Sequence, residues 1–441
     1  MNDLILDYYR FVTSLTFDRF VRLFWYFFIL DFVRYIFLDL LILSIAYLKK
    51  SFNQDKYDVA RKRLFNENPL VSVIVPGKNE GKYIPALARS LQQQTYKNIE
   101  VIVVDDGSND RTPQICRDTL KKGLIDRFFR NEVRGGKASA ANLALRYSQG
   151  EYIVHLDADS HLFVDAIEQL IIPFFLDANI GATGGDVRVN NIGDSLAASL
   201  QGIEYGKSIS IGRQVTSYLG ILRIISGAFG AFRKDILDRI HGWDVGPGLD
   251  GDITLKIRKL KYKVQFVPQA VCFTNVPVTF YKLAKQRYRW NRSTVRFRLR
   301  KHFDILTPDE NFSALNLFAS LDSLLFNFIL NFYWWIYVFD MLFNFIEYTK
   351  YLLVINFALY VISNFVKFAV ILLLSPHKEI RQRDYKLLIY LPLMPFYAGI
   401  YLRAVGMYAQ IMELFFKKSY EDPWNPWKVS RVAKEEDATL F

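Results

Sequence analysis

The pattern of apolar and polar positions divides the chain into three unlike parts. Residues 1–20 read as an amphipathic helix lying near a membrane interface. Residues 21–48 form a largely apolar run that carries Asp31, Arg34 and Asp39. That run is long enough to cross a bilayer, and Asp31 and Arg34, one helical turn apart, can pair. The middle of the chain has a different period. Short apolar runs at 71–76, 99–105 and 151–157 read as buried strands, and the segments 80–93, 113–122 and 135–148 between them read as helices. This alternation predicts an α/β domain with a doubly wound, mostly parallel sheet. In such sheets ligands bind beyond the carboxyl ends of the strands, where Asp105, Asp106, Asp157 and Asp159 fall. After Trp290 the chain turns basic over 292–302, then apolar over about 313–347, 351–374 and 387–416. Pro392 and Pro395 predict that the last stretch is kinked or broken.

Composition sharpens the division. Of 441 residues 51% are hydrophobic, and the 37 Phe and 26 Tyr concentrate toward the ends. The middle segment has the mixed composition of a water-exposed domain and the length to bury a core. The net charge of +12 sits in clusters that flank apolar stretches: Lys49 and Lys50, residues 61–63, 292–300 and 377–386. That placement follows the positive-inside rule and argues against nucleic acid as the partner. The two cysteines, Cys116 and Cys272, are expected to be buried thiols. Asp3 and Asp7 stand where a cleavable leader would need positive charge.

Five clusters carry candidate chemistry. Asp105-Asp106-Gly107-Ser108 ends a strand: its carboxylates suit uracil and ribose hydrogen bonds, and equally suit a tight turn. Asp157-Ala158-Asp159 places two carboxylates on one side of a strand end, a pattern suited to Mg²⁺ or Mn²⁺. Arg134-Gly135-Gly136-Lys137 precedes a helix, where backbone amides and a lysine favour phosphate. Asp250-Gly251-Asp252 opens another helix, and its Asp252 reads either as a general base or as a helix cap. Gln286, Arg289 and Trp290 share one helical face with an amide, a guanidinium and an indole, matching either a diphosphate-and-sugar site or an interfacial helix.

In this order within one α/β domain, the clusters resemble the processive family 2 inverting glycosyltransferases, which include cellulose, chitin, hyaluronan and poly-N-acetylglucosamine synthases. The likeness spans about residues 70–292, and Ser226-Gly-Ala-Phe-Gly-Ala-Phe-Arg233 looks like the family's acceptor-side loop. Gly251 stands where the family usually has Glu before the base. The resemblance implies a GT-A fold and a UDP-sugar donor, UDP-N-acetylglucosamine first and UDP-glucose second. It implies that Asp105 and Asp106 hold the uridine, with Lys137 and Asp157 at the nucleotide. Asp159 would bind the metal, Mg²⁺ or Mn²⁺, and Asp252 would be the base. Gln286, Arg289 and Trp290 would bind acceptor and leaving group. The transmembrane helices would carry the growing polysaccharide.

The expected layout is N-terminal helices over 1–50, a cytosolic catalytic domain over 51–291, membrane helices over 292–418 and a tail over 419–441. The setting is the cell membrane, and the layout accommodates an accessory membrane subunit. Trp427 and Arg431 in the tail are candidate gating residues. Lys417, Lys418, Lys428 and Arg431 favour a C-terminus on the catalytic side. That requires a broken hairpin at 387–416, or an interfacial helix within 313–347. Two rival functions remain: a non-processive transferase acting on a lipid carrier, and an inactive membrane scaffold.

Overall fold

The computed structural model describes residues 2–52, 54–244, 248–307 and 312–421. The α/β domain is built on an eight-stranded sheet, ordered β3-β2-β1-β4-β7-β6-β8-β5. The strands are β1 Val71–Gly77, β2 Ile99–Asp106, β3 Arg127–Asn131, β4 Tyr152–Leu156, β5 Ser160–Leu162, β6 Ile180–Val189, β7 Phe229–Arg233 and β8 Lys263–Thr274. β1, β2, β3 and β4 are mutually parallel. β1 and β2 are buried almost throughout, as their unbroken Val and Ile runs require of strands covered on both faces. Beyond β4 the sheet is mixed: β7 runs antiparallel to β4 and β6, while β8 is parallel to β6 and pairs antiparallel with β5. The predicted parallel half is therefore present, and the alternation that revealed it stops where β7 reverses.

Among the described residues, two helices are long and apolar enough to cross a membrane, Ala314–Asn344 and Ile346–Leu374. They form a hairpin whose two feet stand on the catalytic domain. At one foot Arg258 Nε donates to Asn316 Oδ1 at 2.7 Å, and Arg223 pairs with Asp322 at 2.6 Å. At the other, His377 packs on the Phe163 ring at 3.9 Å and lies 3.9 Å from Asp165. The tip carries the N-terminal helix Asn2–Ser14, with Phe11 stacked on Tyr351 at 4.4 Å.

From that tip, a continuous helical run over 17–52 returns beside the hairpin to the domain. Tyr337 Oη donates to Leu23 O and Tyr26 Oη to Leu330 O near the tip. Lower down, Asp39 pairs with Lys367 at 3.1 Å and Arg34 with Asp39 at 3.2 Å. Leu43 then packs with Phe368, Ile371 and the domain's Leu200 and Ile203. The run is not among the apolar spans because of Asp31, Arg34 and Asp39. Each of these charges is partnered inside the helix cluster, which is how charge persists at such depth.

The last helices follow the domain surface. Lys378–Leu393 and Pro395–Phe416 meet at a 64° bend, at the proline pair expected to break them. Leu387 and Leu391 pack with Leu200 and Ile203. Tyr408 stacks on Tyr288, and Arg292 Nη1 donates to Lys418 O at 2.6 Å. The described C-terminal end thus returns to the catalytic domain.

One ion triad pins this segment. Arg188 reaches Asp186 at 2.7 Å and Asp384 at 3.0 Å, with all three side chains almost wholly buried. Arg188→Leu leaves buried Asp186 without its cation and Asp384 with Arg383 alone, at 3.0 Å, at a cost of about 3 kcal/mol. A marked fall in the melting temperature of detergent-purified protein is expected. Replacing Asp186, Arg188 and Asp384 together with apolar residues should recover most of it.

Candidate active site

A cavity of about 1880 Å³ begins at the carboxyl ends of the parallel strands and continues into the gap between the long apolar helices. Gly77 to Glu80 after β1, Asp106 after β2 and Asp157 to Asp159 after β4 line its upper end. Asp106 is held by the loop that follows β3: Oδ1 accepts from Gly135 N and Asn131 Nδ2, and Oδ2 from Gly136 N, at 2.8, 3.0 and 2.8 Å. Asp105 behaves differently. It is buried outside the cavity, accepts from Ser108 N at 3.1 Å, and faces Arg130 at 3.6 Å. Of the two carboxylates expected at the uridine, the fold brings only Asp106 to the cavity, and Asp105 forms the turn.

Lys137 opens the helix Lys137–Tyr147 and binds Asp157 through its ammonium. Burial opposes its charge, but Asp157 and Asp250 outweigh burial and raise its pKa. Asp159 is pushed up to about 6 by burial and by Asp157. Glu80 is pushed up to about 7 by burial, then by Asp159 and Asp157. Three carboxylates thus crowd one end of the cavity, where burial makes their mutual repulsion costly.

The helix Leu249–Lys259 separates its two carboxylates. Asp250 and Asp252 lie about 200° apart around it, so one face cannot hold both. Asp250 lines the cavity. Asp252 points the other way: its Oδ1 meets His302 Nε2 and Lys301 Nζ, both at 2.7 Å. Burial opposes ionisation of Asp252, but His302 and Lys301 hold its pKa below the usual value. Asp250 is raised by burial, with Lys137 limiting the rise. Gly227 packs against Asp250, and a Cβ there would lie 2.2 Å from Asp250 Oδ1. His155 Nδ1–H donates to Gly227 O at 2.6 Å. Burial and Lys137 hold His155 down to about 3, so it stays neutral. The glycine of the Ser226–Arg233 loop therefore ties Asp250 to the strand ends. Gln286, Arg289 and Trp290 come from the helix Phe280–Val295, as predicted, and line the same cavity. Trp290 carries the Arg287 guanidinium 4.3 Å over its ring. Trp427 and Arg431 lie outside the described residues.

Residues 72–240 match the model of the family described as Glycosyl transferase family 2. A poly-beta-1,6-N-acetyl-D-glucosamine synthase of Staphylococcus epidermidis is 32% identical over 222 residues, 50% of this chain and 53% of that protein. Over residues 72–240 the chain is thus similar to glycosyl transferase family 2. It spans about half the length of that relative. A synthase of the same description from Staphylococcus aureus is 27% identical over 282 residues, 63% of this chain and 68% of the other. The solved structure of a mannosyltransferase from Pyrobaculum calidifontis, in complex with GDP-Man and Mn²⁺, aligns with a TM-score of 0.54. At 21% identity, with 86% of this chain and 99% of that one covered, it shows the GT-A fold.

Two cavity residues escaped the sequence reading. Glu80 stands just after β1, as Asp106 ends β2, but the sequence pattern placed it in the helix expected over 80–93, which the structure starts at Ile84. Asp250 had a usable signal. Asp252, Lys256 and Lys259 fall at i, i+4 and i+7, a charged stripe, whereas Thr254 and Ile257, which follow Asp250 at the same spacing, are buried.

Proposed function

We propose that this transferase polymerises sugar from a UDP-sugar, UDP-N-acetylglucosamine before UDP-glucose, into a β-linked polysaccharide, and passes the product between its membrane helices. The observation that carries the proposal is the continuity of one cavity. Asp250 sits between the carboxylates at the strand ends and the space enclosed by the helices. Asn331, Asn356, Tyr360 and Asn364 give the membrane end hydrogen-bonding walls suited to a sugar chain.

Asp106 and the 134–136 loop bind the nucleoside. Lys137 and Asp157 stand beside the diphosphate. Among the described residues no cluster of three or more His, Cys, Asp or Glu forms a metal cage. The crowding of Asp159, Asp157 and Glu80 nonetheless fits a divalent cation, Mg²⁺ or Mn²⁺, held by Asp159 and completed by phosphate oxygens. Such an ion would neutralise charge on the diphosphate. Asp250 takes the proton from the acceptor hydroxyl. The freed oxygen bonds to the anomeric carbon on the face opposite the departing diphosphate, which inverts the configuration. Trp290 stacks on a sugar ring and Arg289 meets the diphosphate.

Detergent-purified protein given a panel of UDP-sugars with Mg²⁺ or Mn²⁺ should release UDP and form a product of polymer size. A product of one or two sugars that partitions into chloroform would favour transfer to a lipid carrier. Absence of UDP release with every donor would end the enzymatic reading.

A further inference from the structure

The first turn of the base helix, Leu249–Lys259, has no cap of its own. Gly248 precedes it at φ +91° and offers no side chain to the free backbone amides. The turn that carries Asp250 is held from outside instead. Gly227 lies against it on one side. On the other side the contacts come from one continuous helical run, Phe280–Val295 followed by Arg296–Lys301. A Cβ at Gly248 would lie 3.1 Å from Ser293, and one at Gly251 would lie 2.8 Å from the Phe297 ring, so the run packs directly on the backbone of this turn. At its end Lys301 Nζ and His302 Nε2 both reach Asp252 Oδ1 at 2.7 Å. Gln286, Arg289, Trp290, Ser293 and Phe297 recur at the spacing of one helical face, and all of them line the cavity. The face that brings an amide, a guanidinium and an indole to the cavity is thus the face that grips the turn bearing Asp250.

The two anchors on Asp252 are unequal. Lys301 is 41% exposed and shares its ammonium with Asp244 at 2.5 Å, and an exposed ion pair contributes little. His302 is buried, with its ring perpendicular to that of Phe297 at 5.4 Å. Its second nitrogen, Nδ1, lies 2.9 Å from Lys259 Nζ. An ammonium can only donate, so Nδ1 accepts and Nε2–H donates to Asp252. His302 therefore holds the base helix at residues 252 and 259, about two turns apart. Two such points fix the rotation of the helix about its axis, and that rotation sets where Asp250 points.

We propose that His302 is a positioning residue for transfer. It lies outside the cavity lining and acts through the base helix, whose rotation it fixes so that Asp250 keeps its place relative to Arg289 and Trp290. The inference rests on the proposed function in taking Asp250 as the base.

The test is a double-mutant cycle on the full chain in detergent. It reads single-turnover UDP release from UDP-N-acetylglucosamine, or from UDP-glucose where that is the better donor. His302→Leu should lower turnover about tenfold, as a misplaced catalytic group does, while UDP affinity and melting temperature hold. His302→Gln should restore most of it, because its amide can donate to Asp252 and accept from Lys259. In an Asp250→Asn background His302→Leu should cost less than about twofold more, because the group it places is gone. A loss that multiplies in full in that background, or His302→Leu turnover within about twofold of wild type, would overturn the positioning role. Should His302→Leu fail to fold, Gly251→Ala takes its place in the cycle, since the added Cβ must displace Phe297. Asp250→Asn at wild-type turnover would instead sink the base assignment on which the inference rests.

Discussion

Asp250→Asn will lower turnover by about 10²- to 10⁴-fold, the usual loss for a general base, and leave UDP binding nearly unchanged. Asp252→Asn will keep turnover within a few-fold of wild type. The contrast follows from the base helix. Asp250 faces the cavity with Gly227 packed against its carboxylate. Asp252 is occupied by His302 and Lys301, and an amide oxygen at that position can still accept from either. Burial raises Asp250, and Lys137 and Arg213 limit the rise, so the carboxylate gains basicity while remaining able to ionise. Its protonation stops proton abstraction, so turnover should fall on the acid side and not on the alkaline side. Single-turnover kinetics and UDP titration on both variants measure this. If Asp252→Asn loses the larger share, the assignment to Asp250 is wrong.

Asp159→Ala is expected to abolish transfer. A divalent cation neutralising the leaving diphosphate supplies several kcal/mol, about 10³-fold in rate. Chelation by EDTA should do the same, and the two losses should not add, because each removes the same ion. Metal affinity should also depend on pH. Ligating carboxylates must be ionised, and Asp159 lies at about 6 and Glu80 at about 7. Mn²⁺ affinity in the presence of UDP, read by calorimetry, should therefore fall as pH drops from 7.5 to 5.5. Glu80→Gln removes one like charge beside Asp159 and should shift that fall to lower pH. Full activity in EDTA would show that Asp157 and Asp159 serve another purpose.

The order and spacing of apolar runs were enough to read the α/β domain, its parallel half, the two membrane hairpin helices and the break at Pro395. Those features depend on local periodicity, and burial on both faces of β1 and β2 leaves a plain Val and Ile signature. The same holds for Asp106, Asp157 and Asp159, because a carboxylate at the end of a parallel strand has few places to go but the ligand cleft. The apolar run 21–48 was legible as part of a long helix, which the structure extends over 17–52. Its partners were not, since Asp322, Lys367 and Arg403 lie hundreds of residues away in the chain.

Tertiary structure decided which neighbouring carboxylate does which work. Asp105 and Asp106 are adjacent on a strand and so point to opposite faces; only packing against the loop after β3 selects Asp106 for the cavity. Asp250 and Asp252 are separated by half a helical turn, and the register of the base helix against Gly227 and His302 chooses between them. The sequence by itself determined the elements and the chemical types available at their ends. The rotation of each element about its own axis, settled by contacts between distant segments, determined which of those groups face the cavity.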